Sequence, residues 1–132
     1  MMGMRLCYVS DMENMNMVQS KGIWGSTRNS LATWHVGDRL VFLIGREAAA
    51  VGRVEGDSYL DDEIIWKKDV FPFRVPVKVE TVRAGKPGAS VNAEIRAILM
   101  RAFGNHYGVR LQNSSVLASG MENSILRVLP ER

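Results

Sequence analysis

Between Arg74 and Val82 the side chains alternate. Val75, Val77 and Val79 fall on one side; Arg74, Lys78 and Glu80, with Pro76, fall on the other. A period of two is that of a strand with one buried face, and a helix would scatter those valines around its circumference. Pro76 has no N–H to give to a ladder, so an edge or a bulge is expected there. Upstream, the turn Val36-Gly37-Asp38 leads into Arg39 to Ile44, an apolar run that reads as a buried strand. Gly45-Arg46-Glu47 then looks like a hairpin connection, and Ala48 to Val54 like the return strand. Gly52 within it marks a bulge or a close backbone approach. With a first strand over Arg5 to Val9, the chain is committed to a sheet.

Helices bracket that sheet. Ser10-Asp11-Met12-Glu13 fits a capping box, Met12, Met15 and Val18 share a helical face, and Gly22 ends the helix. Ser26 to Asn29 reads as polar loop, Ser30 to Trp34 as one helical turn, and Glu55 to Asp69 as acidic and irregular. Arg83 to Gly88 is turn-rich. Val91, Ile95, Ile98, Leu99 and Ala102 form the apolar face of a second helix that Gly104 ends. Ser119-Gly120-Met121-Glu122 is another capping box, opening a last helix through about Val128. The expected class is α+β, a curved sheet or partly closed barrel flanked by helices. A length of 132 residues predicts a single domain over 1–132 that buries a core without staples.

Composition narrows the function classes. A hydrophobic fraction of 46% and a charged fraction of 23% are those of a soluble globular chain. The single cysteine, Cys7, has no internal partner and sits in a strand-like run, so a buried thiol in a reducing cytoplasm is expected. No apolar run approaches the roughly 18 residues of a membrane span, and Met1 to Met4 lack the apolar core of a signal peptide. A net charge of +3 admits a nucleic-acid partner without requiring one. No P-loop, zinc-ligand spacing or nucleophile motif is present, so neither metal nor cofactor is expected.

The candidate site begins at Ile23-Trp24-Gly25-Ser26-Thr27. An indole among glycine and small hydroxyl residues, expected in a loop after a short helix, is poorly explained by core filling alone. Trp66 lies in another loop-like stretch, with Phe71 shortly after it. Aromatic faces gathered from separate segments hold flat rings, and nucleobases are the commonest flat rings in a cell.

Ser10 through Thr27, Val36-Gly37-Asp38-Arg39-Leu40-Val41-Phe42, Val51-Gly52-Arg53-Val54 and Phe71-Pro72-Phe73-Arg74-Val75 together resemble the EVE domain, of the PUA-like superfold and related to the YTH domains. The likeness covers about the first two-thirds of the chain. Glu13-Asn14 followed by Ile23-Trp24-Gly25-Ser26-Thr27 also resembles YTH readers of N6-methyladenine. The resemblance implies a PUA-like barrel flanked by helices, with an aromatic cage for a flipped or unpaired modified base in DNA or RNA. It implies Trp24 and Trp66 as cage walls, Phe71 as a looser third wall, Asn14 and Ser10 as polar contacts to the base edge, and Gly25 as the residue whose backbone carbonyl accepts from an exocyclic amine. The third wall as phenylalanine and the thin polar set depart from strict N6-methyladenine readers and leave the base open, methylated cytosine or adenine. Some EVE domains stand at the front of modification-dependent restriction enzymes, so the partner is expected to be modified nucleic acid, with the chain as a whole protein or the targeting module of a nuclease or motor.

Phosphate contacts are expected from Arg28, Lys67, Lys68 and Arg74, because a nucleic-acid binder gains affinity by neutralising several phosphates. Each residue also has a plainer reading. Trp24, Trp66 and Phe71 fit core positions, Ser10 a helix cap, Asn14 an exposed first-turn site, and the basic residues a solvated face. Trp34 reads as core. Asp61-Asp62-Glu63 lacks spaced ligands and reads as polar loop.

Two other classes stay open. A PUA-like RNA-binding or planar-ligand module would use the same pocket, and binding of a free planar ligand would show little salt dependence. A base-excising glycosylase would need Asp11 or Glu13 as acid or base, but Glu13 fits the capping box and Asp11 the first helical turn, where the dipole favours a carboxylate. A binder rather than an enzyme is therefore expected.

Overall fold

The computed structural model describes residues 4–26, 33–45, 48–64, 71–84, 91–103, 116–117 and 125. Strands β1 (Met4–Val9), β2 (Ile23–Ser26), β3 (Arg39–Ile44), β4 (Ala48–Val54), β5 (Tyr59–Leu60), β6 (Phe73–Ala84) and β7 (Val116–Leu117) form a mixed sheet in the order β2-β6-β4-β3-β1-β7, with β5 on β6. Helices α1 (Met12–Lys21) and α2 (Val91–Phe103) flank it. The expected α+β class holds. The expected last helix lies outside the described residues except for Ile125, which is buried.

Alternate residues of the central strands feed two cores. Cys7, Leu40, Phe42, Ile44, Ala48, Ala50 and Val54 point to one, where α1 contributes Met15 and Val18 and where Trp24, Trp34, Val75 and Val77 also lie. Leu6, Val41, Leu43, Ala49 and Val51 point to the other, where α2 contributes Ile95 and Leu99. Both faces of β3 are thus covered, which explains its unbroken apolar sequence. β1 and β3 run parallel, so the chain must cross over between them, and α1 and β2 lie on that crossover.

Helix α1 begins one residue later than the sequence suggests. Its cap is Asp11, whose carboxylate accepts from the Asn14 N–H at 2.9 Å. The capping box led by Ser10 is therefore corrected: a carboxylate is available at the next position to satisfy the same orphan donor. At the other end Gly22, at φ 67°, donates to the Val18 carbonyl as foreseen.

Strand β6 joins the two parts of the curved sheet. Its first residues pair with β2 and β5, and from Val77 onward it pairs with β4. Pro76 is therefore not on an edge strand, as its missing donor had suggested. It lies opposite Ile23 at the point where pairing passes from one neighbour to the other. The irregularity is at Gly52: Val51 opposes Thr81 but Gly52 opposes Val79, so β6 carries one extra residue. A Cβ on Gly52 would lie 2.5 Å from the Lys78 carbonyl oxygen, so only glycine fits this close approach. The extra residue also keeps both Val79 and Val82 against the α1-side core.

Cys7 is buried, and burial pushes its thiol well above the ordinary range, with the nearby Arg5 charge opposing. The unfolded thiol ionises near pH 8.5. Above that value the unfolded chain has lost a proton that the folded chain keeps, so stability falls as pH rises, by at most about 1.4 kcal/mol per unit. Below it this contribution is constant. Urea unfolding at pH 7 and pH 9.5 should show a larger alkaline loss for the native sequence than for Cys7→Ala; equal losses would mean that the thiol is accessible to solvent.

Candidate functional site

Strand β2 is where the sequence expectation is most altered. Trp24 lies in a strand, not a loop, opposite Val75. The loop reading relied on the flanking glycines, but Gly22 is the helix cap and Gly25 is paired in register with Arg74. The Trp24 indole is 7% exposed and meets Phe42 edge to face, with centroids 5.6 Å apart and planes at 70°. It is thus a core residue in this form. Phe71 is partly buried against the same core. Trp66 lies outside the described residues, as do Arg28, Lys67 and Lys68.

The backbone of β2 has a second consequence. Val77 N–H donates to the Gly22 carbonyl. In an antiparallel ladder the bonding direction alternates, so Trp24 and Ser26 bond toward β6 while the N–H and C=O of Ile23 and Gly25 face the other way. No described strand pairs with that other side of β2. The Gly25 carbonyl, the acceptor implied by the resemblance, therefore points to a sheet edge.

Asn14 and Ser10 are brought together at the start of α1. Asn14 Nδ2 donates to Ser10 Oγ at 2.8 Å. Ser10 is exposed and Asn14 half-buried. A hydroxyl that accepts one bond keeps its own proton to give, so the pair offers a donor beside the positive end of a helix dipole. Asp11, the alternative acid, is occupied in capping Asn14.

Arg74 departs from its expected role. Alternation put it on the outer face of β6 as a phosphate contact, yet its side chain is fully buried. Nε donates to the Phe71 carbonyl at 3.1 Å, Nη2 donates to the Glu63 carbonyl, and Nη1 stands 3.7 Å from Asp61 Oδ1. A guanidinium enclosed in this way does not meet a phosphate. Asp61, Glu63 and Phe71 meet it there, and their approach left no mark in the alternation. Phe71 is itself at φ 48°, a left-handed conformation that costs a side-chain-bearing residue about 1–3 kcal/mol. Such strain is typical of functional segments and persists only where neighbours hold it. Burial raises the Tyr59 phenol, with Arg74 opposing and Asp61 and Glu63 reinforcing.

A buried ion pair went unread in the sequence. Arg5 Nε donates to Asp38 Oδ2 at 3.1 Å, Arg5 Nη2 donates to the Thr33 carbonyl at 3.0 Å, and the guanidinium lies 5.3 Å from the centre of the Trp34 ring. Asp38 also accepts from the His35 N–H at 2.9 Å. Trp34 is core, as expected. Among the described residues no three His, Cys, Asp or Glu side chains converge as metal ligands, and no helix is long and apolar enough to cross a membrane.

No protein-family model matches the chain, and no curated protein does. Solved structures match in fold. The YTH domain of Zygosaccharomyces rouxii MRB1, solved in complex with N6-methyladenosine RNA, aligns with a TM-score of 0.66 and 17% identity over 96% of this chain and 86% of that one. The MmI1 YTH domain gives 0.68 and 12% over 96% and 94%. A Rhodopseudomonas palustris protein solved by NMR gives 0.60 and 17% over 98% and 96%. The narrower EVE assignment has no matching family model behind it. A curved mixed sheet between two helices, in the YTH and PUA-like arrangement, is the fold of this chain.

Proposed function

We propose that this domain is a nucleic-acid reader that captures one flipped or unpaired modified base, a methylated adenine or cytosine, without acting on it chemically. The observation that carries this reading is the Ser10–Asn14 pair at the start of α1, in a fold shared with a YTH domain solved with N6-methyladenosine RNA. In this reading Trp24 and Trp66 are walls, Phe71 closes the cage, Asn14 and Ser10 read the base edge, and the Gly25 carbonyl accepts from an exocyclic amine. Arg28, Lys67 and Lys68 supply the phosphate contacts. Modified DNA or RNA is the partner, and a fused or associated nuclease is the kind of protein such a reader would direct.

The energetics divide the work. Stacking on an aromatic wall contributes roughly 1–3 kcal/mol per base, enough with two walls to offset the few kcal/mol of unstacking. One buried methyl adds only about 0.8 kcal/mol. A buried polar group left unpaired penalises the wrong base more strongly. Asn14 therefore sets base identity, and the cage sets modification.

Short labelled DNA and RNA oligonucleotides test this, each carrying one 5-methylcytosine, 5-hydroxymethylcytosine, N6-methyladenine or no modification. The native domain should prefer one modified base, with affinity falling steeply as salt rises. Asn14→Ala and Ser10→Ala lie outside the core and should leave the fold intact. Asn14→Ala should weaken the preferred base roughly 5- to 150-fold, the worth of a buried polar contact of about 1–3 kcal/mol, and blur the ranking of bases. An Asn14→Ala protein that ranks bases as the native chain does would remove Asn14 from the site. Salt-insensitive binding of a free nucleoside would favour the planar-ligand alternative.

A further inference from the structure

Strands β1 and β3 end side by side, with Val9 opposite Ile44 in register. Gly45 follows at once in a left-handed conformation, φ 55°. Its N–H donates to the Val9 carbonyl at 2.8 Å. Its carbonyl accepts from Nη2 of Arg96, on α2, at 2.9 Å. Its Cα faces Ser10: a Cβ there would lie 3.3 Å from the Ser10 carbonyl oxygen, tighter than side chains ordinarily approach. Ser10 is where the chain leaves the sheet, between Val9 at the end of β1 and Asp11 at the cap of α1. Its hydroxyl accepts from Asn14. We infer that Arg96 is a positioning residue for the base-edge contacts. It holds Gly45, and Gly45 sets where Ser10 departs from the sheet, hence where the Ser10 hydroxyl and the Asn14 carboxamide stand. The inference rests on the reading of Ser10 and Asn14 as the groups that read a base.

The two helices lie on opposite faces of the sheet, α1 in one core and α2 in the other. Ile95 and Leu99 anchor α2 to its face. Arg96 stands beside them, half-buried, and reaches a strand end. A long stem with a planar fork of donors can span that distance and fix the direction of a carbonyl. Direction matters because hydrogen bonds weaken steeply with angle, and contact groups serve a site only when their neighbours hold them within about 0.5 Å of the productive place. Gly45 suits this control. Its left-handed backbone favours glycine, and it puts no side chain between the strand end and Ser10.

The test uses the whole chain with three single substitutions. Arg96→Met removes the donors and keeps a good helix former. Gly45→Ala presses a methyl group toward the Ser10 carbonyl. Arg101→Met removes the same charge from an exposed position on the same helix. The first readout is the ratio of affinities for the preferred base and the next in rank. Arg96→Met and Gly45→Ala should each lower it about fivefold, the scale of one displaced hydrogen bond, and Arg101→Met should leave it native. In a Ser10→Ala background Arg96→Met should cost less than about twofold more, because the hydroxyl it places is gone. A native ratio in a folded Arg96→Met or Gly45→Ala protein overturns the proposal, as does an undiminished effect in the Ser10→Ala background. So does a salt slope that falls by roughly 0.7–0.9 in Arg96→Met, the signature of a direct phosphate contact. The second readout needs no ligand. In amide NMR spectra the Ser10 N–H and Asn14 side-chain signals should move in Arg96→Met and Gly45→Ala and stay in place in Arg101→Met. If the native chain prefers no base but those signals move, the link to Ser10 stands and the reader function fails; if they do not move, the link itself is refuted.

Discussion

Replacing Asp38 with alanine is expected to destabilise the domain by about 3–5 kcal/mol, among the largest effects of any single substitution here. The side chains of Arg5 and Asp38 are 4% and 2% exposed, and their N–O distance is 3.1 Å. Removing the carboxylate leaves a guanidinium enclosed without its counter-charge and takes the acceptor from the His35 N–H. Asp38 also joins elements far apart in sequence. Its backbone pairs with Val54 on β4, while its side chain reaches Arg5 on β1. Urea unfolding should show a lower midpoint with the slope unchanged, since the surface exposed on unfolding stays the same. Replacing both partners with apolar residues of similar size should cost far less than either single change, because a well-packed apolar pair avoids burying charge. A loss below about 1 kcal/mol for Asp38→Ala would mean that water reaches the pair, as at an exposed bridge.

That pair also marks the limit of what the sequence disclosed. Val36-Gly37-Asp38 reads correctly as a turn, and Arg5 as the start of a strand. Nothing in either says that they meet, because the meeting depends on β1 lying parallel to β3. Local periodicity determined what local forces determine: the buried β3, the hairpin to β4, the glycine at the bulge, and the buried Met15 and Val18 of α1 and Ile95 and Leu99 of α2, while Met12, expected on the same face of α1, is exposed. It misjudged residues whose surroundings come from distant segments. Arg74 alternates like a surface residue, and only the fold brings Asp61, Glu63 and Phe71 around it. The glycine neighbours of Trp24 suggest a loop, while its pairing with Val75 is non-local. Within the candidate site, Ser10 and Asn14 come from the resemblance, and their 2.8 Å contact, four residues apart, is local geometry.

Trp24→Ala is expected to reduce both stability and binding, and the two losses must be separated for the result to mean anything. The indole is 7% exposed and packs edge to face on Phe42, so truncation should cost about 3–5 kcal/mol in stability. Loss of one stacking wall should cost a further 1–3 kcal/mol of binding, roughly 5- to 150-fold in affinity. Trp24→Phe separates them. It keeps a ring against Phe42 and most of the core contact, but it offers a smaller face to a base. Its stability should stay well above that of Trp24→Ala, while its affinity for the preferred modified base falls measurably below native. The small exposure carries a further requirement. A base stacks on a face, and a face covers more of an indole than this form leaves open, so neighbours must yield before stacking occurs. Association followed by tryptophan fluorescence should therefore be slower than the roughly 10⁵–10⁷ M⁻¹s⁻¹ of docking without rearrangement. Rapid binding by the native chain, together with full affinity in a folded Trp24→Phe protein, would assign the indole to the core alone and leave the cage to Trp66 and Phe71.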